Sequence, residues 1–179
     1  MGTYLPWLVG RLHDSGAQVV RERLAALPID ADVVVHASGL GARELVGDYT
    51  MQPVRGQVVV LEQWGLSEWW LDGSGITYVV PREREVVVGG SDEEGSADLA
   101  VDGDQAQQIL RRAAVLVPEV AAARVIGHRV GLRPGRPAVR LEREQRADGP
   151  VVVHCYGHGG AGVTLSWGCA EEVRSLVAG

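Results

Sequence analysis

The residues best able to do chemistry lie near the end of the chain. From Val152 to Ala170 an apolar run passes through His154, Cys155 and Tyr156 into four closely spaced glycines, Gly157, Gly159, Gly160 and Gly162. A helical pattern follows, carrying Ser166 and Cys169. Glycine lets backbone N–H groups approach a ligand, and a helix start adds partial positive charge. A ligand here would therefore be electron-rich or anionic. A tight strand-to-helix turn kept for packing alone has the same signature.

Three sharper readings of this segment are weaker. His154, Cys155, His158 and Cys169 are metal-ligating types, but their spacing matches no zinc pattern and His154 and Cys155 are adjacent, so no metal is expected. A histidine with Ser38 and Asp32 could be read as a hydrolase triad, yet neither Ser38 nor Ser166 sits in a G-x-S-x-G elbow. Cys155 has no supporting signature of a nucleophile and reads as a buried structural cysteine.

Two further segments carry candidate groups. In Gly131 to Pro137, Arg133 stands before Pro134, and Arg136 before Pro137. Arginine is suited to a two-point grip on a carboxylate or phosphate, and flanking prolines would preorganise it. A solvated arginine pairing with Glu142 or Glu144 fits the same residues. Tyr78 lies in an apolar run, Ile76 to Pro81, where an ordinary core or edge tyrosine is also expected.

These groups need elements to hold them. Residues 3–15 repeat apolar residues at helical spacing through Tyr4, Leu5, Leu8 and Leu12, with Gly16 placed to end the helix. A short strand is expected at 18–21. The run from Asp32 to Ala37 reads as a fully buried strand of a parallel sheet, followed by a turn and a short helix to Leu45. Then β-branched runs at 55–61, 76–80 and 85–90 predict an antiparallel sheet. Ala106, Ile109, Leu110 and Ala113 predict a helix over 102–116, followed by strands at 125–132 and 139–141. The strand at 151–154 leads into a helix from about Gly160 to Val177. The fold class is mixed α/β. Because a two-strand remnant of a parallel sheet is not a stable unit, part of that sheet is expected outside these residues.

Composition narrows the function classes. The 179 residues include 24 glycines, no Phe, Lys or Asn, and 17 arginines as the only strong bases. Net charge is −6, which argues against nucleic acid or an anionic membrane as the main partner. Seven arginines fall between Arg124 and Arg146, interleaved with Glu142 and Glu144. No apolar run is long enough to cross a membrane, and the first residues read as no secretory signal. Two cysteines suit a reducing compartment, so a cytoplasmic location is expected.

Taken together, these segments resemble the FAD-dependent D-amino-acid oxidase family. The resemblance runs in the family's order along essentially the whole chain: Tyr4 and Leu5, Val33 to Ala42, Gln52 to Gln57, Tyr78 to Pro81, Gly89 and Gly90, Gly131 to Glu142, His154 to Gly162, and Trp167 to Ala170. The glycine segment at 157–162 is close to the family signature. Cys155 departs from it, standing where a small polar residue or histidine is common, and Ala161 replaces a common aromatic. The family's strand, G-x-G-x-x-G and helix for the pyrophosphate have no counterpart in residues 1–50, so the chain resembles the family's C-terminal half.

The resemblance implies an incomplete Rossmann-like FAD-binding layer plus an antiparallel-sheet substrate domain. Residues 1–53 and 131–179 would belong to the first and 54–130 to the second. It implies oxidation of a D-amino acid to a 2-oxo acid, with ammonia and hydrogen peroxide as further products and FAD as hydride acceptor. Arg133 would grip the substrate carboxylate, Tyr78 would add a hydroxyl hydrogen bond, and Gly160 would offer backbone to the amine. The cofactor set would be Leu24, Ser38, Arg133, Gly159, Gly160, Ala161, Gly162, Val163 and Thr164. Residues 73–75 stand where many members carry a lid tyrosine, so the lid is short or absent. The expected partners are a small D-amino acid and O2, with a homodimer or an N-terminal FAD-binding half completing the protein. Glycine or sarcosine as substrate, and a non-catalytic fragment, are the alternative readings.

Overall fold

A computed structural model describes residues 2–73 and 76–179. The chain opens with α1 (Tyr4–Asp14), as its periodicity predicts. Gly16, at φ 82°, turns the chain out of the helix, and Ala17 donates back to the Leu12 carbonyl. The strand expected at 18–21 does not form: the backbone from 17 to 32 is irregular, and Val19 and Val20 are exposed. A β-branched pair becomes a strand only where another strand takes its hydrogen bonds, and none among the described residues lies alongside.

A small sheet follows from distant parts of the chain. Its strands are β1 (Val33–His36), β8 (Arg140–Glu144) and β9 (Val151–Tyr156), in the order β1-β9-β8. β1 runs parallel to β9, with Val33 opposite Val151, and β8 is antiparallel to it. The parallel pairing matches expectation. Full burial of β1 does not, since Val35 is 48% exposed. β1 is an edge strand among the described residues, so one of its sides and part of one face stay open. After β1 come a 3-10 turn (Gly39–Gly41) and α2 (Ala42–Leu45). After β9 come a 3-10 turn (Gly159–Ala161) and α4 (Gly162–Ala178), two residues later than the predicted helix start.

The second sheet contains β2 (Gln52–Glu62), β3 (Trp70–Leu71), β4 (Tyr78–Pro81), β5 (Glu85–Gly89), β6 (Glu93–Glu94) and β7 (Val125–Gly135). Strand β2 is its spine. β7 pairs along one edge of β2 and β5 then β6 along the other, all antiparallel. β7 runs beyond its predicted end, through Arg133 and Pro134, because β2 offers partners as far as Gln52.

Strand alternation gives this sheet two unlike faces. Val59 and Leu61 of β2, Val86 and Val88 of β5 and Val79 of β4 form an apolar core with α3 (Gly103–Leu116) through Ala106, Ile109 and Ala113. Asp102 caps α3 by accepting from the Gln105 N–H at 2.9 Å. Arg55 and Gln57 share that face, nearer the start of β2. Arg55 is buried, and its guanidinium donates to Glu93, Gln105, Gln57 and the carbonyls of Asp98 and Ala100 at 2.6–2.9 Å. Gln57 binds the Asp102 carbonyl, and its backbone N–H donates to Ser91. This network fixes the segment after β5 against the start of α3.

Candidate active site

The other face of the six-stranded sheet carries the candidate chemistry. Arg133 of β7 lies opposite Val54 of β2, and Tyr78 of β4 lies opposite Gly89 of β5, which in turn faces Val58. All five positions project to the side away from α3. Two glycines make room for the functional side chains. A Cβ on Gly56 would overlap the Arg133 guanidinium, and one on Gly89 would overlap the Tyr78 ring. Neither glycine has a left-handed φ, so the requirement is space rather than backbone freedom.

Tyr78 and Arg133 line a cavity of about 300 Å3 together with Gly159 and Gly160, and with Ser91, Asp92 and Glu94 on another wall. The four residues chosen from three separate sequence segments thus meet at one site. Gly160 is packed close to the arginine: a Cβ there would lie 3.4 Å from Arg133 Cδ. Arg133 Nη1 donates to the Ser91 carbonyl at 3.1 Å and to Asp92 Oδ1 at 3.2 Å. Arg112 of α3 donates to the Gly90 carbonyl and to Thr77 Oγ1, holding the strands that flank the cavity.

Arg133 is therefore a strand residue seated over a glycine, rather than a loop residue stiffened by proline. Pro134 lies in β7 opposite Pro53, and its ring approaches Gly39. Arg136 binds Asp48 Oδ2 at 3.0 Å and the Ala138 carbonyl, away from the cavity lining. Asp92, which pairs with Arg133, was not singled out by sequence reasoning; nothing local marks one acidic residue among Asp92, Glu93 and Glu94.

Next to the cavity, the 3-10 turn at Gly159–Ala161 feeds α4, and no side chain caps the helix start at Ala161. Its first N–H groups lack intrahelical partners. Gly159 has φ 55° and Gly160 presents no side chain, so backbone donors there are open to an electron-rich ring. Gly162, Val163 and Thr164 are exposed on the first turn of α4. Ser38 follows β1 and leads into the 3-10 turn at Gly39–Gly41, and Leu24 is 46% exposed in the irregular segment at 17–32; neither lines the cavity. The lid reading at 73–75 rests on Ser74 and Gly75, outside the described residues.

Under Ser38 lies a buried polar chain. Ser38 Oγ is 2.6 Å from His36 Nε2, His36 Nδ1 is 3.1 Å from His154 Nδ1, and His154 Nε2 is 3.0 Å from Glu144 Oε2. One set of neutral tautomers satisfies every link: Ser38 donates to His36, His36 to His154, and His154 to the Glu144 carboxylate. Burial, then the neighbouring His154, lower the His36 pKa to about 4. Burial also lowers that of His154. Tyr156 continues the network by donating to Asp48 Oδ2 at 2.9 Å and accepting from Arg140.

His154 and Cys155 are adjacent on β9 and so face opposite ways. His154 enters the chain above, whereas Cys155 meets His158 and Cys169 across the sheet, with all three donor atoms within 4.8 Å of one another. The linear spacing that argues against a metal gives no hint of this convergence.

A family profile described as FAD dependent oxidoreductase (DAO) matches residues 3–176. The chain is 49% identical over 181 residues to a D-amino-acid oxidase of Streptomyces coelicolor, covering 98% of this chain and 57% of that one. It is 47% identical to a D-amino-acid oxidase of Rubrobacter xylanophilus, covering 98% and 56%, and 42% identical to a D-aspartate oxidase of Homo sapiens, covering 97% and 53%. The chain thus spans little more than half the length of these relatives. In fold it is similar to a glycine oxidase of Bacillus cereus, with a TM-score of 0.81 at 20% identity over 94% of this chain and 53% of that one. The mixed α/β expectation holds, and the chain belongs to the family of FAD dependent oxidoreductases that includes the D-amino-acid oxidases.

Proposed function

We propose that this chain forms the substrate side, and part of the cofactor side, of an enzyme that oxidises D-amino acids with FAD. The nucleotide-binding segment that completes the cofactor site lies outside these residues. The observation that carries the reading is the meeting of Tyr78, Arg133, Gly159 and Gly160 around one cavity of amino-acid size. Arg133 would take the substrate carboxylate in a two-point pair, in place of its contacts with Asp92 and Ser91. Tyr78 would donate its hydroxyl to the same carboxylate, and the Gly160 backbone would receive the amine.

FAD would supply the hydride acceptor, and oxygen would return it to the oxidised state as hydrogen peroxide forms. The chain's own part is orientation and electrostatics, with no side chain required as a strong base. The open N–H groups at the start of α4 suit negative charge on the ring facing them. Arg133 is the one basic residue lining the cavity among the described residues, and Asp92 and Glu94 share that lining. An acidic substrate side chain would meet repulsion there, so the reading favours neutral D-amino acids. A cytoplasmic location is part of the same reading.

The test is to load the purified chain with FAD, alone and with the nucleotide-binding segment of a relative. Flavin absorbance and peroxide release are then measured with D-alanine, L-alanine, glycine and sarcosine. Peroxide with D-alanine and not L-alanine supports the reading, and Arg133→Lys should weaken substrate binding by roughly 1.5–3 kcal/mol. A flavin-loaded preparation inert to D-amino acids overturns it. Activity of the chain alone would overturn the need for a second segment.

A further inference from the structure

On the far side of β9 from the histidine chain lies a cleft between the small sheet and α4, with a cavity of about 340 Å3. Its walls include Val35, Ala37, Ala170 and Val173, and its polar groups include Cys155, His158 and Cys169. Both cysteines are free thiols, and all three side chains are half-buried. His158 Nε2 lies 3.3 Å from Cys169 Sγ. Two soft sulfurs and an imidazole therefore converge from a strand, a turn and a helix onto one point in an apolar cleft.

We propose that Cys155, His158 and Cys169 form a binding site for one thiophilic divalent cation of the zinc class, with a fourth position open to the cleft. The donor set is that of a soft or borderline cation, not of calcium or magnesium, which take oxygen. Tetrahedral bonds of about 2.3 Å to sulfur and about 2.0 Å to nitrogen would set those donors roughly 3.5 Å apart. The 3.3 Å separation of His158 and Cys169 is close to that, and all three atoms already lie within 4.8 Å of one another. Charge balances as well. Two thiolates and a neutral imidazole cancel a double positive charge, so the occupied site adds no net charge to a cleft lined by valine and alanine. Binding releases the two thiol protons to solvent. The cation would join the end of β9, the glycine turn and α4, and that turn carries Gly159 and Gly160 of the candidate active site.

Titrating the reduced chain with Co2+ tests this. The expected result is the intense visible absorption of tetrahedral cobalt–thiolate coordination, saturating at one ion per chain and displaced by Zn2+. In competition with a chromophoric chelator, Cys155→Ser, Cys169→Ser and His158→Gln should each weaken Zn2+ binding by more than about 100-fold, beyond the loss usual for an outer-shell partner. Circular dichroism checks that the variants fold. On the unaltered chain, Zn2+ should shield Cys155 and Cys169 from alkylation, mapped by mass spectrometry. A pale octahedral cobalt spectrum, undiminished binding in Cys155→Ser, or thiols that stay equally reactive with and without Zn2+ would each overturn the proposal. None of the three residues lines the Arg133 cavity, so failure here leaves the oxidase reading untouched, and the reverse also holds.

Discussion

The two sheets solve the problem of burial differently. The six-stranded sheet owns its core: Val59, Leu61, Val79, Val86, Val88 and Ile109 are almost wholly buried between strands and α3. The three-stranded sheet has a smaller core cluster of Ala42, Met51 and Tyr156, with Val152 and Val153 buried in β9, while α4 on that sheet and α1 beside α4 contain no buried residue. Leu5, Trp7, Leu165 and Trp167 stand exposed. What the small layer lacks in apolar contact it partly replaces with polar chains through His36, His154, Glu144, Tyr156 and Asp48. The larger sheet has an extensive apolar core of its own, whereas the smaller one leaves faces and an edge open.

The largest expected effect tests the large sheet. Arg55→Met removes five hydrogen bonds at a buried site and leaves Gln57, Glu93, Gln105 and two carbonyls short of a donor. A loss of about 3–5 kcal/mol is expected in urea unfolding. A loss under about 1 kcal/mol would mean that apolar packing alone holds α3 and the Ser91 segment, and the contrast between the sheets would narrow.

The second prediction tests the small layer's dependence on polar links. His36 is neutral when folded, with its pKa lowered from 6.5 to about 4, first by burial and then by His154. A lowered histidine pKa stabilises the folded chain above the unfolded value. The contribution is present above 6.5, falls as pH drops toward 4, and is gone below it. It amounts to about 3 kcal/mol. Urea midpoints at about pH 7 and pH 4.5 should therefore fall further for the native chain than for His36→Gln, which has no proton to gain. Equal pH slopes would show that His36 does not report on this layer.

The third lies at the cavity between the sheets. Gly56→Ala places a methyl group where the Arg133 guanidinium now sits. Arg133 must move, with an expected cost of about 1–3 kcal/mol in substrate binding. The measurement is apparent substrate affinity in the reconstituted enzyme, beside the urea midpoint. Unchanged affinity would show that Arg133 binds from another rotamer.

Legibility followed the same division. Helices α1 and α3 declare themselves by apolar spacing, with Gly16 as the stop of α1, and the strands of the large sheet by β-branched runs between turns; the Asp102 cap of α3 shows only in the structure. Position relative to partners was less visible. Among the described residues, Val19 and Val20 read as a strand but have no strand to pair with, Val35 reads as buried but lies at an edge, and β7 continues through Pro134 because β2 runs alongside. Tyr78, Arg133, Gly159 and Gly160 could be chosen from the sequence, yet Gly56 and Gly89 could not be assigned to their side chains. That link depends on cross-strand register, which no local pattern carries. Asp92 and the Cys155–His158–Cys169 convergence stayed hidden for the same reason.

The smallest expected effect is the most pointed test of the comparison. Leu165 is 44% exposed on α4. If the outer side of the small layer is uncovered in solution, Leu165→Ser removes little buried area and should change stability by no more than about 0.5 kcal/mol. The equivalent change inside the large sheet's core, Ile109→Ala, should cost about 2–5 kcal/mol. On the proposed reading, the nucleotide-binding segment of a relative would cover this layer. If that segment packs over α4, Leu165→Ser should become costly in the complex while Ile109→Ala keeps its value. The two substitutions then report separately on the covered layer and on the sheet whose core is buried in either case.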